Sequence, residues 1–486
     1  MVFSSLIFLY AFFSLSLLAY ALCQTHRAQN AVLLLFSLVF YAWGEPKYLL
    51  LLMFMAFVSW FCALQVAKNK RRHKQKFWVT VAAVVDIGLI GYFKYAGLFA
   101  SLFGTVPDFI RGIALPIGIS FYTFQLLTYV VDVYRKDAQV QKSYWNVLLY
   151  AALFHQCVAG PIVRYKTIDQ ELFSGSPRKS EWSKGVSRFC AGLAKKALLA
   201  NPCGALANTL ILSDSAIADA AKFASNLEAL TELPVAGAWL GIVAYALHIY
   251  LDFSAYSDMA IGMGNMLGLH YLENFNYPYI SRSVTEFWRR WHMSLGTFFR
   301  DYVYIPLGGS RCSFLRSMLN TLVVWALTGL WHGANWNFVL WGLWFFVFLM
   351  IERLFLKKIL QKIPLLSNLY LLVVVMIGWV IFRFTNLELG LTLVRSLFGL
   401  NGNPLTSFTV GIEFDSHIFL LIVSAITATP LMRILRFQFE KRIRNHQVLF
   451  AVWQVILYSI LPVILLLLST ASLVGDSYNP FIYFQF

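Results

Sequence analysis

The stretch Thr328-Gly-Leu-Trp-His-Gly-Ala-Asn-Trp336 sets small and polar residues inside a long apolar segment. Its central residue, His332, is the only ionisable side chain between Asn320 and Met350. A titratable group in hydrocarbon surroundings is costly, so it is retained mainly where it has a function. The stretch therefore indicates both a membrane segment and a functional site.

The apolar segment around His332 is too long for one straight membrane helix. Residues 317 to 352 would extend about 54 Å as a helix at ~1.5 Å per residue, whereas a hydrocarbon core is about 30 Å thick. We therefore predict two half-helices, broken near Gly329 to Asn335, with His332 deep in the protein. If the segment were one continuous helix, a polar and aromatic stripe would follow one face: Thr321, Trp325, Thr328, His332 and Asn335.

The composition extends this interpretation to the whole chain. Of 486 residues, 59% are hydrophobic and 13% are charged, and the mean hydropathy is +0.66. Soluble domains carry about a quarter charged residues. We predict an all-α, polytopic membrane protein whose residues 1–486 form one domain, with about ten to twelve spans or half-spans.

The net charge of +16 indicates topology and lipid contact rather than nucleic-acid binding. Basic residues lie between the apolar segments, and one cluster contains no acid: Lys68, Lys70, Arg71, Arg72, Lys74 and Lys76. Short basic loops of this kind mark the cytoplasmic side of a membrane and face anionic headgroups. We expect a bilayer as the partner of these residues and no nucleic acid.

Several chemistries are excluded by missing motifs. The chain has no phosphate-cradling G-x-x-x-x-G-K-[ST] and no H-E-x-x-H, which argues against a nucleotide-driven pump and a metalloprotease. Its six cysteines contain no C-x-x-C pair, so neither a zinc site nor a disulfide framework is expected. His248 and Asp252 match an H-x-x-x-D spacing, but so short a pattern arises often by chance.

Two acids lie where apolar residues surround them. An apolar run over residues 235–251 leads into Asp252-Phe-Ser-Ala-Tyr-Ser-Asp258. An uncompensated charge there would be expensive, so Asp252 and Asp258 should have partners. A second irregular stretch, residues 148–163, contains a Gly-Pro break and suits a half-helix covered by protein, because unpaired backbone is not tolerated in lipid.

The region from Asn274 to Arg311 alternates aromatic and cationic residues. Such a mixture suits the bilayer interface, and it equally suits a planar, anionic ligand. Its histidine, His292, and His332 are the two candidates for chemistry. A buried neutral imidazole can take a proton from a hydroxyl or a thiol near neutral pH. The alternative for His332 is a structural bond to a backbone carbonyl or to Asn335.

Four segments resemble the membrane-bound O-acyltransferase family, and within it the membrane subunits of bacterial alginate O-acetyltransferases. They are Asp252-Phe-Ser-Ala-Tyr-Ser-Asp-Met-Ala-Ile-Gly262, Phe287-Trp-Arg-Arg-Trp-His-Met-Ser294, Arg300-Asp-Tyr-Val-Tyr-Ile-Pro-Leu-Gly-Gly309 and Gly329-Leu-Trp-His-Gly-Ala-Asn-Trp336. The resemblance extends, in order, to Ser120–Gln125, Ala159–Arg164 and the ending Asn479–Phe486. Ala255 stands where the family usually has glycine.

The resemblance implies a helical membrane enzyme with a funnel on each face and a central acyl-transfer tunnel. It places the family's near-invariant histidine at His332 and its second essential histidine at His292. We expect acetyl-CoA as the acyl donor and no metal. The expected contacts to CoA phosphates are Arg289, Arg290 and Arg300, and the expected structural or tunnel residues are Asn335, Trp331, Trp336, Asp252 and Asp258.

The resemblance also implies partners and a location. Similar proteins work in the bacterial cytoplasmic (inner) membrane with an extracytoplasmic acetyltransferase of the SGNH-hydrolase type, and an exopolysaccharide such as alginate or cellulose is the final acceptor. Two alternatives remain open. One is a relative that moves another acyl group, such as D-alanine for teichoic acid, and the other is a non-catalytic channel or flippase. Weak internal symmetry would favour a transporter, and no repeat is apparent.

Overall fold

The computed structural model describes residues 3–104, 107–158, 160–173, 181–360 and 362–475. These residues form helices joined by turns and irregular segments, without a β-strand among them. The predicted all-α fold class is confirmed. Of the segments that resemble the family, Ala159 and the ending Asn479–Phe486 lie outside the described residues.

Seven helices in the described residues are long and apolar enough to cross a membrane, and a shorter apolar helix covers Ile7–Leu22. The protein is therefore a multi-pass membrane protein. The seven are Pro46–Lys68, Arg72–Ser101, Val235–Leu267, Trp336–Leu360, Pro364–Arg383, Phe408–Thr427 and Gln447–Gly475.

The chain divides into two compact units, and the first comprises Met1–Ala191 with Tyr256–Glu273. That the whole chain acts as one membrane domain stays a prediction. The helices that lie wholly in the first unit are Ile7–Phe13, Ser14–Leu22, His26–Gly44, Pro46–Lys68, Arg72–Ile90, Gly91–Tyr95, Ala96–Ser101, Asp108–Arg111, Ile119–Arg135, Tyr144–Ala152 and Tyr165–Phe173.

The second unit comprises Gly192–Ala255 and Asn274–Phe486. Two helices, Trp182–Ala194 and Val235–Leu267, contribute residues to both units. The other helices of the second unit are Lys195–Ala200, Asn201–Ile211, Asp214–Ala218, Ala220–Lys222, Phe223–Glu232, Pro278–Ile280, Val284–Arg290, Met293–Phe299, Arg300–Tyr304, Phe314–His332, Trp336–Ile351, Glu352–Leu356, Lys357–Leu360, Pro364–Arg383, Leu387–Leu397, Phe408–Thr427, Leu431–Ile443, Gln447–Val455, Ile456–Ile460 and Leu461–Gly475.

The apolar segment around His332 folds as two helices with a break between them, as its length predicts. The first helix is Phe314–His332 and the second begins at Trp336. We call this pair, residues 314–351, the hairpin. Its helices pack closely and antiparallel, because a Cβ on Gly329 would overlap the carbonyl of Phe338 and a Cβ on Gly342 would overlap that of Trp325. Small residues at such positions let two membrane helices approach closely.

The predicted span over residues 235–251 does not end before the acidic motif. One helix of 33 residues, Val235–Leu267, continues through both acids. It can do so because each carboxylate has a cationic partner. In the second unit Lys196 Nζ lies 2.7 Å from Asp252 Oδ1, and both side chains are almost fully buried. In the first unit Arg188 Nη2 lies 2.9 Å from Asp258 Oδ1.

The expected covered break in residues 148–163 is present in the first unit. The helix Tyr144–Ala152 ends there, and the described residues between it and the helix that begins at Tyr165, 153–158 and 160–164, have irregular backbone. His155 in this stretch is fully buried, and its Nδ1 lies 2.8 Å from the hydroxyl of Tyr271. Side-chain partners of this kind allow irregular backbone at depth.

The tight hairpin makes a stability prediction for Gly342→Ala. Because the new Cβ would overlap a backbone carbonyl, which cannot rotate away, we expect destabilisation by about 1–3 kcal/mol. The measurement is the apparent Tm of the purified protein in detergent. Gly411→Ala is the matched control, since a Cβ at this helical position meets nothing within 4 Å. Equal melting of the two variants would contradict the close packing.

Candidate active site

His332 is the last residue of the first hairpin helix, and the chain leaves the helix directly after it. Gly333 makes this exit possible, because a Cβ at that position would overlap the ring of Phe338. The second helix then starts with Asn335 as its N-cap, whose side-chain oxygen accepts the Trp336 N–H at 2.7 Å. A buried histidine thus lies at a helix end that the local sequence enforces.

Aromatic rings surround the His332 imidazole, whose residue is only 7% exposed. The ring centroids of Trp331 and Trp341 each lie 4.9 Å from it, and that of Phe382 lies 5.2 Å away. All three contacts are edge-to-face, a favourable arrangement for aromatic pairs. These walls restrict the approach of water to the imidazole.

His292 lies in a strained turn between two short helices, Val284–Arg290 and Met293–Phe299. Its backbone has φ +44°, a left-handed conformation that is uncommon outside glycine. Such conformations persist only where the surroundings impose them. Here the surroundings are Asn274, whose backbone carbonyl accepts the Met293 N–H at 2.9 Å.

The side chain of Asn274 also fixes the tautomer of His292. Its Oδ1 accepts the backbone N–H of Ser294 at 3.2 Å, which identifies that atom as the oxygen. The same oxygen lies 3.1 Å from His292 Nδ1, so Nδ1 carries the hydrogen and Nε2 carries the lone pair. Burial lowers the pKa of His292 to about 3, and the imidazole is therefore neutral at physiological pH.

The two histidines meet at one indole. The ring centroid of Trp331 lies 5.7 Å from that of His292 and 4.9 Å from that of His332. Trp331 itself is 4% exposed. The structure thus brings together the two residues for which the sequence predicts chemistry, although 40 positions separate them, and it adds the tryptophan that was expected to line a tunnel.

The three arginines expected at CoA phosphates lie near this site in the chain, at the ends of its short helices. Arg290 pairs with Glu286 at 2.8 Å, and Arg300 pairs with Asp301 at 2.7 Å. Arg289 is exposed. Two of the three thus have partners within the protein, and their role toward CoA stays a prediction.

Other predicted site residues have structural positions. Asn335 caps a helix, so the expected continuation of the His332 stripe to Asn335 is wrong, because the first helix ends at His332. Trp336 is 49% exposed. Asp252 forms the buried pair with Lys196, and His248 Nδ1 lies 2.7 Å from the carbonyl of Ala200, to which it must donate.

Asp258 belongs to a cluster in the first unit. Arg188, its partner, also contacts Glu273 at 2.6 Å. One arginine thus holds two carboxylates, which is a structural role for all three residues. Among the described residues, no group of three or more His, Cys, Asp or Glu could hold a metal ion.

Sequence reasoning missed two residues that position His292. One is Asn274, which is fully buried. The other is Glu352, whose carboxylate accepts the N–H groups of Val284 and Thr285 at 2.5 and 3.0 Å. Glu352 directly follows the second hairpin helix, so these two bonds join that helix to the helix before His292. A carboxylate is favourable at a helix N-terminus, where backbone N–H groups have no partner within the helix. The only sequence signal for Glu352 is its position as the first acid after the hairpin.

The comparisons with known proteins identify the family of this chain. Residues 33–394 match the model of the membrane-bound O-acyltransferase family. A probable alginate O-acetylase of Azotobacter vinelandii is 34% identical over 100% of both chains. A probable alginate O-acetylase of Pseudomonas aeruginosa is 38% identical over 85% of this chain and 79% of its own.

A third relative is named for a different polymer. The peptidoglycan O-acetyltransferase of Helicobacter pylori is 30% identical over 83% of this chain and 80% of its own length. Residues 33–394, which match the family model, include His292, His332 and the indole of Trp331 that both contact. This chain belongs to the membrane-bound O-acyltransferase family and is an O-acyltransferase.

Proposed function

We propose that this protein takes acetyl from cytosolic acetyl-CoA and passes it across the membrane for O-acetylation of an exopolysaccharide such as alginate. The observation that carries the proposal is the pair of buried histidines, His332 and His292, in contact with the single indole of Trp331. The names of the relatives support acetyl as the group and a glycan hydroxyl as the acceptor, because two are alginate O-acetylases and one acetylates peptidoglycan.

The chemistry requires a base or an acyl acceptor that is protected from water. Water would hydrolyse the thioester, and a shielded imidazole avoids that loss. In one route a nitrogen of His332 attacks the thioester carbonyl, the C–S bond breaks and CoA leaves as its thiol, and the acetyl-imidazole then passes acetyl to a hydroxyl. In the other route His332 takes the proton of the hydroxyl while its oxygen attacks the thioester carbonyl, the C–S bond breaks, and the imidazolium returns the proton to the departing CoA thiolate.

Charge supports the site for the donor, and the family resemblance supports the donor and the partners. The basic cluster at residues 68–76 marks the cytoplasmic side. Arg289, Arg290 and Arg300 would hold the CoA phosphates, for which guanidinium groups are well suited. In this proposal the protein lies in the bacterial cytoplasmic membrane, and an extracytoplasmic SGNH-type acetyltransferase receives the acetyl group and places it on the polysaccharide.

A prediction about catalysis concerns His332→Ala. Because general acid–base or covalent catalysis would be lost, we expect transfer of labelled acetyl from acetyl-CoA to fall about 10²–10⁴-fold, with unchanged membrane assembly. The measurement is labelled acetyl ester formed by proteoliposomes that contain the partner and polysaccharide. His446→Ala is the matched control, since His446 is exposed.

The same assay separates the alternatives. A passive channel or flippase keeps its transport in His332→Ala. A D-alanyl transferase accepts an activated D-alanyl donor and gives no acetyl ester in the wild type. Either result contradicts acetyl transfer by His332. A rapid denaturing quench of the wild type near neutral pH distinguishes the two routes, because only the covalent route leaves labelled acetyl on His332.

Another prediction concerns the pH dependence of folding stability. His292 has a lowered pKa of about 3 in the folded protein, against 6.5 when unfolded. Below pH 6.5 the unfolded state therefore binds the additional proton, and folding stability is lost as the pH falls from 6.5 toward 3. We expect His292→Gln to reduce this loss, because glutamine does not titrate.

The measurement is the decrease in apparent Tm between pH 7 and pH 5 for the wild type, His292→Gln and His446→Gln. The decrease should be smaller in His292→Gln alone. A decrease of equal size in all three proteins would show that His292 titrates normally in the folded state.

A further inference from the structure

A cavity of about 660 Å³ lies within the second unit, away from the two histidines. Three of the spanning helices, Val235–Leu267, Pro364–Arg383 and Phe408–Thr427, supply most of its lining. Ligand pockets measure roughly 300–1,000 Å³, so the size suits a bound molecule. The lining is mainly apolar and includes Val243, Leu247, Ile280, Leu372, Met376 and Ala425.

The cavity is elongated along one helix. Asn368, Leu372 and Met376 are spaced by four residues, so they line one face of the helix Pro364–Arg383 over about 12 Å. Its polar lining residues cluster toward the helix ends, because Asn368 is in the first turns of this helix and Thr429 follows the helix Phe408–Thr427. The shape suits a chain-like apolar group with a polar end.

The polar end carries one positive charge, on Arg282. This residue lines the cavity and is exposed. The backbone that leads into it is fixed, since the Asn368 amide donates to the carbonyls of Tyr279 and Ser281 at 3.1 and 2.9 Å. Within the described part of the chain, no carboxylate pairs with the Arg282 guanidinium.

The acid nearest to Arg282 in the sequence, Glu286, is already engaged. Its Oε2 accepts the backbone N–H of Arg282 at 3.0 Å, and its Oε1 pairs with Arg290 at 2.8 Å. The lining residues include no histidine, aspartate or glutamate, so the cavity offers no general base. It therefore suits binding rather than catalysis.

We propose that this cavity is a lipid site, in which one acyl chain of an anionic phospholipid fills the apolar part and the phosphate contacts Arg282. An empty apolar cavity between helices would forfeit the dispersion contacts of its walls. The bilayer supplies chains that fill it. Because bilayer tails are as apolar as the cavity walls, the chain itself gives little preference among lipids. The preference comes from Arg282, and it favours a negatively charged headgroup.

Native mass spectrometry of the purified full-length protein tests the proposal. The probes are phosphatidylglycerol and phosphatidylethanolamine with identical acyl chains, added in equal amounts. We expect the wild type to retain one phosphatidylglycerol in preference to phosphatidylethanolamine. Arg282→Ala should lower retention of phosphatidylglycerol about fivefold, since one cation near the headgroup is lost. Retention of phosphatidylethanolamine should fall less, because its ammonium group already offsets the charge of its phosphate.

Two further variants complete the test. Ala425→Trp places a large ring into the cavity from an exposed helix position and should reduce retention of both lipids. Arg433→Ala is the matched control, because Arg433 is an exposed arginine outside the cavity lining. An equal loss in Arg433→Ala and Arg282→Ala, or full retention in Ala425→Trp, overturns the site. Binding of palmitate by a protein that does not bind phosphatidylglycerol also overturns the proposed site. None of these outcomes depends on acetyl transfer.

Discussion

The cost of a polar group in an apolar interior governs the arrangement of this protein. A buried charge requires a partner, and backbone that leaves a helix at depth requires hydrogen bonds from other parts of the chain. The pair Lys196–Asp252 meets the first requirement with almost no exposure of either side chain. Because that charge is balanced, the helix Val235–Leu267 can run for 33 residues through an acidic motif that would otherwise end it.

The same constraint shapes the active site. His292 adopts a left-handed backbone conformation, and the strain is offset by four contacts from Asn274 to residues 292–294. Glu352 satisfies the N-terminal amides of the preceding helix. Polar residues that take no part in chemistry therefore determine where the catalytic candidate lies. Removing any one of them would leave a buried group without its partner, which is costly.

The hairpin places the second histidine by a different means. Its helices approach closely at Gly329 and Gly342, and Gly333 lets the chain turn beside the ring of Phe338. Such close packing suits a membrane, where burial of apolar surface between helices brings little gain. Trp331 then contacts both imidazoles, so the hairpin and the His292 turn form one site.

The sequence by itself determined the fold class, a break near Gly329 to Asn335 and the need for partners at Asp252 and Asp258, because each follows from the energetics of hydrocarbon surroundings. Its motifs also indicated both histidines. The local sequence pattern could not show that Asn335 caps the second hairpin helix instead of continuing the stripe of the first. The first helix ends because Gly333 lies against the ring of Phe338 on the second helix. Nor could the local pattern identify Asn274 and Glu352. Only the tertiary structure brings Asn274 to His292, 18 residues away, and Glu352 to Val284, 68 residues away, because such contacts join positions far apart in the chain. The single indole that the two histidines share is likewise visible only in the folded protein.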